Sequence, residues 1–208
     1  MPLIRKPPPG NTDSTAPANP AGPCLDALVG GDDNARWNAA RAAPDTPEGA
    51  RALGEALGRE RNPRVREAIL TSLVRMSTPE GVQAVLPLLR SDDALLRTGA
   101  LDALRTMGGA VRPYLPPLLH DADADVRLIA CELLRQLPGE QATPLLCAIL
   151  DTETEPNVCA SAVEVLAEVG GPEALPVLAR CEERFRGIAF LEFSIRTTID
   201  QIRSQVSR

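Results

Sequence analysis

The nine residues VRLIACELL, from Val126 to Leu134, decide the fold of this 208-residue chain. Their apolar side chains share one face of an α-helix, because helical positions recur every 3.6 residues. These apolar positions are Val126, Ile129, Ala130, Leu133 and Leu134. Related segments occur four more times along the chain, at spacings of 30 to 32 residues. Such a period indicates an array of similar supersecondary units that stack side by side.

Alignment of the five segments shows which positions the repeat keeps. The segments are ARWNAARAA (35–43), VREAILTSL (65–73), LRTGALDAL (96–104), VRLIACELL (126–134) and VCASAVEVL (158–166). Their second positions hold Arg36, Arg66, Arg97, Arg127 and Cys159. Three residues later stand Ala39, Ile69, Ala100, Ala130 and Ala162, and seven residues later Ala43, Leu73, Leu104, Leu134 and Leu166. The small residues predict close helix packing, and we expect each arginine to cover a seam between repeats and pair with acidic turn residues.

A second apolar run follows the aligned segment within each later copy. These runs are Val82–Leu89, Val111–Leu119, Ala142–Leu150 and Ala174–Leu178. Each unit is therefore predicted to contain two antiparallel helices of about three turns. Prolines in the second helices are expected to bend them and to curve the array, with the second helices lining its concave face.

Turn residues mark where the second helices begin. Thr46 and Thr78 are expected to cap them, with Pro47 and Pro79 at the first helical position, where no N–H is needed. The segment Gly171-Pro172-Glu173 is expected to do the same in the last copy. Acidic turns between copies, such as Asp121–Asp125, suit the N-termini of first helices.

The pattern resembles HEAT-like repeats of the phycobilisome-lyase type, whose units carry a Val-Arg pair, a small residue and a leucine on the first helix. VREAILTSL and VRLIACELL match well, whereas VCASAVEVL lacks the arginine. The resemblance covers about residues 32–184. It implies an all-α fold, a right-handed α-α superhelix of about five two-helix repeats with terminal capping helices.

Both ends of the chain differ from the repeats. Residues 1–21 hold six prolines and are expected to form an extended, mobile tail, in which Leu3-Ile4-Arg5-Lys6 is either an ordinary terminus or a docking peptide. Residues 22–31 are expected to cap the first repeat. Residues 185–208 form a predicted helix with all three phenylalanines, which is either a terminal cap or a dimer or partner surface.

Composition narrows the classes of function. The chain has a formal charge of −6 and a pI near 5.0, which disfavours binding to phosphate backbones. No apolar stretch reaches the length of a membrane span, and the proline-rich start is unlike a signal peptide. The five cysteines form no CxxC pair, so a cytoplasmic protein with reduced thiols is expected. Arginine-rich, lysine-poor usage is typical of GC-rich bacteria.

The residue inventory offers little for catalysis, and we predict no catalytic, metal-binding or cofactor-binding residue and no cofactor. His120 is the only histidine, which excludes multi-histidine metal sites. The carboxylates of Asp121–Asp125 with Glu132 have the spacing of a calcium loop, but Val126 stands where that loop needs glycine, so helix capping is favoured. Cys131 and Cys159 either pack in the core or form a metal or cofactor site, and packing is favoured.

The leading hypothesis is a non-enzymatic scaffold or adaptor that binds another protein through the concave helix surface, with no nucleic-acid or membrane partner. Short HEAT arrays of this kind in GC-rich bacteria imply an accessory role in signalling, including chemosensory systems. The alternative implied by the family is a bilin lyase or lyase-like chaperone; DNA glycosylase activity is disfavoured by the acidic charge and few aromatics. The predicted partner-binding residues are Trp37, Arg51, Glu55, Arg59, Gln83, Arg90, Arg180 and Glu183.

Overall fold

The computed structural model describes residues 22–206, which contain twelve α-helices and no strand. The helices are α1 (Gly22–Gly30), α2 (Asp33–Ala42), α3 (Pro47–Arg59), α4 (Pro63–Met76), α5 (Pro79–Val85), α6 (Ala94–Met107), α7 (Leu115–Leu119), α8 (Ala124–Leu134), α9 (Gly139–Thr152), α10 (Pro156–Val169), α11 (Leu175–Arg184) and α12 (Ala189–Val206). The predictions made for residues 1–21 lie outside this range.

The helices form the predicted α-solenoid of five two-helix repeats. The first helices of the repeats are α2, α4, α6, α8 and α10, and each packs on the next one. The second helices α3 and α5 lie side by side, as do α9 and α11. At one end α1 packs on α2 and α3, and at the other end α12 packs on α10 in the place of a sixth first helix.

A continuous apolar core runs along the stack. The leucines at the end of the aligned segments, Leu73, Leu104 and Leu134, are fully buried, as the repeat pattern requires. The small residues Ala100 and Ala130 of the close-packing column are also fully buried. Close packing therefore occurs where the sequence predicts it, and aliphatic side chains supply nearly all of the core.

The second helices are less regular than predicted. Helix α5 passes into a 3₁₀ segment, Leu86–Arg90, that contains Pro87. The third repeat has only 3₁₀ turns and the five-residue α7 in place of a three-turn helix, so the prediction is wrong there. Three prolines in residues 112–117 explain the difference, because each lacks the N–H that an α-helix needs. Helix α9, by contrast, continues through Pro144.

Helix capping follows the predicted threonines. Thr46 accepts a hydrogen bond from Gly49 N and Thr78 one from Gly81 N, both at 3.1 Å, and the helices begin at Pro47 and Pro79. The segment Gly171-Pro172-Glu173 also begins a second helix, since Gly171 is the N-cap of a 3₁₀ turn, Pro172–Ala174, that leads into α11. This turn has no side-chain cap, because glycine has no side-chain oxygen that could accept the bond.

The arginine column joins each first helix to the turn that precedes it. Arg66, Arg97 and Arg127 each donate to the carbonyl six residues earlier, those of Glu60, Ser91 and Asp121, at 2.5–2.9 Å. In the fifth repeat the thiol of Cys159 approaches the equivalent carbonyl, that of Glu153, at 3.9 Å. The missing arginine is thus replaced by a weaker donor that keeps the same geometry.

Two buried glutamates connect neighbouring repeats through this column. Arg36 donates to Glu60 at 2.7 Å, and Arg127 donates to Glu153 at 2.7 Å and 3.0 Å. Only 8% of Glu60 and 6% of Glu153 is exposed. The expected pairing with acidic turn residues is confirmed at these two arginines and at Arg66, which lies 2.9 Å from an Asp93 oxygen.

Both glutamates also bind the backbone of the turn in which they stand. Glu153 accepts hydrogen bonds from the N–H groups of Thr154 and Glu155. Burial disfavours its charged form, but these bonds and the one from Arg127 outweigh burial and lower its pKa below the ordinary value of 4.5. The hydrogen bond from Arg36 likewise lowers the pKa of Glu60. In the sequence, each glutamate stands three residues before the proline that begins a first helix, a Glu-x-x-Pro signal that the repeat alignment overlooked.

Truncation of Leu134 tests whether the leucines at the end of the aligned segments form the core. The substitution Leu134→Ala should lower the free energy of unfolding by about 2–5 kcal/mol, because it leaves a cavity in a fully buried position. Leu95→Ala makes the same chemical change at a side chain that is 83% exposed and should stay within about 0.5 kcal/mol of wild type. Urea denaturation followed by circular dichroism measures both, and similar losses in the two variants would contradict the predicted register.

The buried ion pair of Glu153 with Arg127 predicts a specific dependence of stability on pH. Because the folded pKa of Glu153 is lowered, its contribution is complete above about pH 4.5 and is lost as the pH falls through the folded pKa. Glu153→Gln should therefore cost about 2 kcal/mol at pH 7 and less at pH 3, because the stability that the ionised carboxyl contributes declines as the pH falls below about 4.5. Unfolding of wild type, Glu153→Gln and the exposed control Glu164→Gln at both pH values checks this; an equal cost at the two pH values would refute it.

Candidate protein-interaction groove

An open groove lies between the first helices α4 and α6. Its volume is about 520 Å³, within the range of pockets that bind ligands. Leu70 and Val74 from α4 and Leu96 and Ala103 from α6 supply apolar surface. The lining also includes Pro63, Arg66, Glu67, Thr71, Asp93, Leu95, Gly99, Asp102 and Thr106. We call these residues the α4–α6 groove.

Gly99 keeps the groove open. A Cβ at this position would lie only 3.2 Å from Cδ1 of Leu70 on the facing helix, so any side chain there would press on its neighbour. Other first helices carry side chains in the same column, such as Ile129 and Ser161. Ser161 even bridges its seam with a 3.2 Å hydrogen bond to the carbonyl of Leu128. Among the aligned positions of this column, Gly99 is thus the one without a side chain, and it lies at the seam between α4 and α6.

Leu95 stands at the rim of the groove and is 83% exposed. The equivalent positions of the other four repeats are polar: Asn34, Arg64, Asp125 and Asn157. A large apolar side chain in a polar column, beside an open apolar groove, marks a surface that gains stability when another molecule covers it.

The charges that line the groove are mainly negative. Glu67 and Asp102 are exposed on the two opposing helices. Asp93 lies at one end and binds Arg66, and hydrogen bonds from Leu96 N and Arg66 lower the pKa of Asp93. Asp102 also lies 3.6 Å from a nitrogen of Arg105 on its own helix. The three carboxylates thus outnumber the two guanidinium groups beside them, and this excess of negative charge favours a ligand that carries positive charge.

Trp37 lies beside this groove, between α2 and α4. The guanidinium groups of Arg41 and Arg64 both lie 4.6 Å from the centre of its ring. A smaller depression next to Trp37 shares Glu67 and Thr71 with the α4–α6 groove. Trp37 and the groove consequently form one surface across three first helices, which we call the first-helix surface.

The other predicted binding residues lie on second helices. Arg51, Glu55 and Arg59 are exposed on α3, and an Arg59 nitrogen lies 3.8 Å from a Glu55 oxygen. Arg180 on α11 binds Asp151 on α9 at 2.7 Å, and Glu183 pairs with Arg186. The structure therefore separates these residues from Trp37.

Gln83 and Arg90 do come together, in a depression between the second helices of the second and third repeats. Gln83 donates to the hydroxyl of Tyr114 at 3.2 Å, and Arg90 pairs with Asp121. Both side chains already join neighbouring repeats, and their role in binding a partner stays a prediction. Sequence reasoning overlooked Leu70, Leu95 and Gly99, although the apolar residue in a polar column was visible in the alignment.

The cysteines pair differently from the expectation. The sequence predicts that Cys159 lies near Cys131, but the structure places its thiol beside that of Cys181. The interaction with the Cys181 thiol, followed by burial, raises the pKa of Cys159, and the same interaction lowers the pKa of Cys181. Burial raises the pKa of the Cys131 thiol to about 12. All three thiols lie in the core.

The acidic segment before α8 works as a capping turn. Asp121 accepts from Asp123 N, and Asp123 accepts from Asp125 N at the start of the helix. Glu132 pairs instead with Arg105. Within residues 22–206, no three His, Cys, Asp or Glu side chains are grouped so that they could hold a metal ion. In the same range, no helix has the length and hydropathy needed to cross a bilayer.

Comparison with solved structures finds similar folds at low sequence identity. A HEAT-like repeat protein from Thermococcus onnurineus is 16% identical, with a TM-score of 0.47 and coverage of 87% of this chain and 86% of that one. Human deoxyhypusine hydroxylase is 22% identical, with a TM-score of 0.46 and coverage of 87% and 73%. The CpcE–CpcF phycocyanin lyase complex of Nostoc is 16% identical, with a TM-score of 0.38 and coverage of 97% and 100%.

Sequence comparison assigns the family directly. No curated protein matches the chain. A family profile described as HEAT repeats matches residues 23–105 and 112–184, which is well over half of the sequence. These ranges contain the five aligned segments, the arginine column and every residue of the α4–α6 groove except Thr106. The chain therefore belongs to the HEAT repeat family.

Proposed function

We propose that the protein is a non-enzymatic scaffold that binds another protein through its first-helix surface. The exposed Leu95 at the rim of a ready-formed apolar groove carries this proposal. The groove is open along the helices, which suits an extended or helical segment of a partner. Trp37, at the edge of the same surface, is the residue type most often found at the energetic centre of protein interfaces.

The charge of the surface favours a protein over a nucleic acid. Glu67, Asp93 and Asp102 would repel phosphates, and the whole chain carries a formal charge of −6. The second-helix residues Gln83 and Arg90 are retained as a second, smaller contact region. An accessory role in a bacterial chemosensory system is the finer form of the proposal, and copurification of signalling proteins with the chain would support it.

Exchange of Leu95 for a charged residue tests the proposal. Leu95→Glu should lower partner capture from a lysate of the source organism by at least tenfold, because it removes the large apolar side chain that a partner would cover and puts in its place a carboxylate that loses its water on contact. Val29→Glu makes a similar change at an exposed residue of α1, outside the groove, and should leave capture unchanged. Quantitative mass spectrometry of the captured proteins gives the readout. Equal capture by Leu95→Glu and wild type would refute the assignment of this surface.

A further inference from the structure

We propose that the segment Leu3-Ile4-Arg5-Lys6 of the same chain docks in the α4–α6 groove and competes there with the partner. The inference rests on the proposed function, since it treats the groove as a site for peptides. This segment has the chemistry that the groove favours, namely apolar side chains followed directly by positive charge.

The two sets of residues are complementary. Leu3 and Ile4 would cover Leu70 and Val74, where about 1.5–3 kcal/mol per fully buried aliphatic side chain is available. Arg5 and Lys6 would then lie near Glu67 and Asp102 on the two rims. Lys6 is the only lysine of the chain, so this short segment concentrates positive charge in an otherwise acidic protein.

The connecting chain is long enough. Helix α1 packs on α2, α2 on α4, and α4 on α6. At about 8–10 Å between packed helices, the groove lies about 25 Å from α1. The 15 residues between Lys6 and Gly22 span up to about 50 Å when extended, and about 45 Å as a polyproline helix. A tether of this length gives an effective concentration in the millimolar range, so even weak docking is populated.

Docking in the same chain makes the segment an intramolecular competitor of the partner. A partner must then displace Leu3 and Ile4 before it can reach Leu95 and Leu70. Its apparent affinity is reduced by the fraction of molecules in which the groove is occupied. The docked segment thereby weakens binding of the partner without any change in the repeat fold.

Zero-length carbodiimide cross-linking of the full chain gives a direct test, because Lys6 carries the only side-chain ammonium. Peptide mapping of the monomer band should show Lys6 joined to Glu67 or Asp102. The expected yield at Glu164 is low, although Glu164 is also exposed and occupies the same repeat column as Asp102. Glu67→Gln with Asp102→Asn should abolish the main product, and Glu164→Gln should not.

Substitution within the segment separates specific docking from simple charge attraction. Ile4→Glu should lower the yield of the Lys6–groove product by about tenfold, whereas Ala18→Glu, in the connecting chain, should leave it unchanged. Lys6 products spread over carboxylates of the whole surface would overturn the inference. Products confined to a dimer band would also overturn it, since a second copy would then be the occupant. Neither outcome affects the Leu95→Glu capture result, so the two proposals can fail separately.

Discussion

The stack depends on one hydrogen bond that recurs in successive repeats, from a side chain of the first helix to the carbonyl of the turn before it. Arg66, Arg97 and Arg127 make this bond over six residues, and Cys159 keeps its geometry with a thiol. The bond occupies a carbonyl that would otherwise be left unpaired near the core. It also fixes the angle at which the chain enters each first helix, so every repeat presents the same columns of side chains.

Where a buried glutamate binds an arginine of the column, the contact between two repeats becomes a network of charged and backbone groups. Glu153 accepts from Arg127 and from two backbone N–H groups, and Glu60 is similarly surrounded. A buried ion pair stabilises a fold only when its remaining hydrogen-bonding capacity is used, and both glutamates meet this condition. These contacts pin the first repeat to the second and the fourth to the fifth, at the two ends of the array.

Much of this arrangement could be predicted from the sequence. Burial of Leu73, Leu104 and Leu134 followed from helical periodicity, and the caps at Thr46 and Thr78 followed from the threonine and proline spacing. The family profile agrees with that prediction. The prediction failed where local chemistry competes with periodicity: three prolines prevent a regular second helix in the third repeat.

The candidate surface was harder to predict, because Gly99 contributes to the groove through the side chain that it lacks. Gly99 and Leu95 differ from the residues at the same positions of the other repeats, and a repeat alignment emphasises shared residues rather than such differences. Exposure and charge predict a binding surface on the second helices, yet Arg90 and Arg180 form ion pairs between neighbouring repeats. Thiol pairing of Cys159 with Cys181 depended on how a first helix meets its own second helix, which spacing alone does not determine.

The proline-rich second helix of the third repeat has a consequence for cooperativity. In a linear array each unit is held only by its neighbours, so a repeat with few internal helical hydrogen bonds is a natural boundary between unfolding units. The family match is also interrupted just before this proline-rich segment, between residues 105 and 112. The array is therefore expected to unfold as two cooperative blocks that meet in the third repeat.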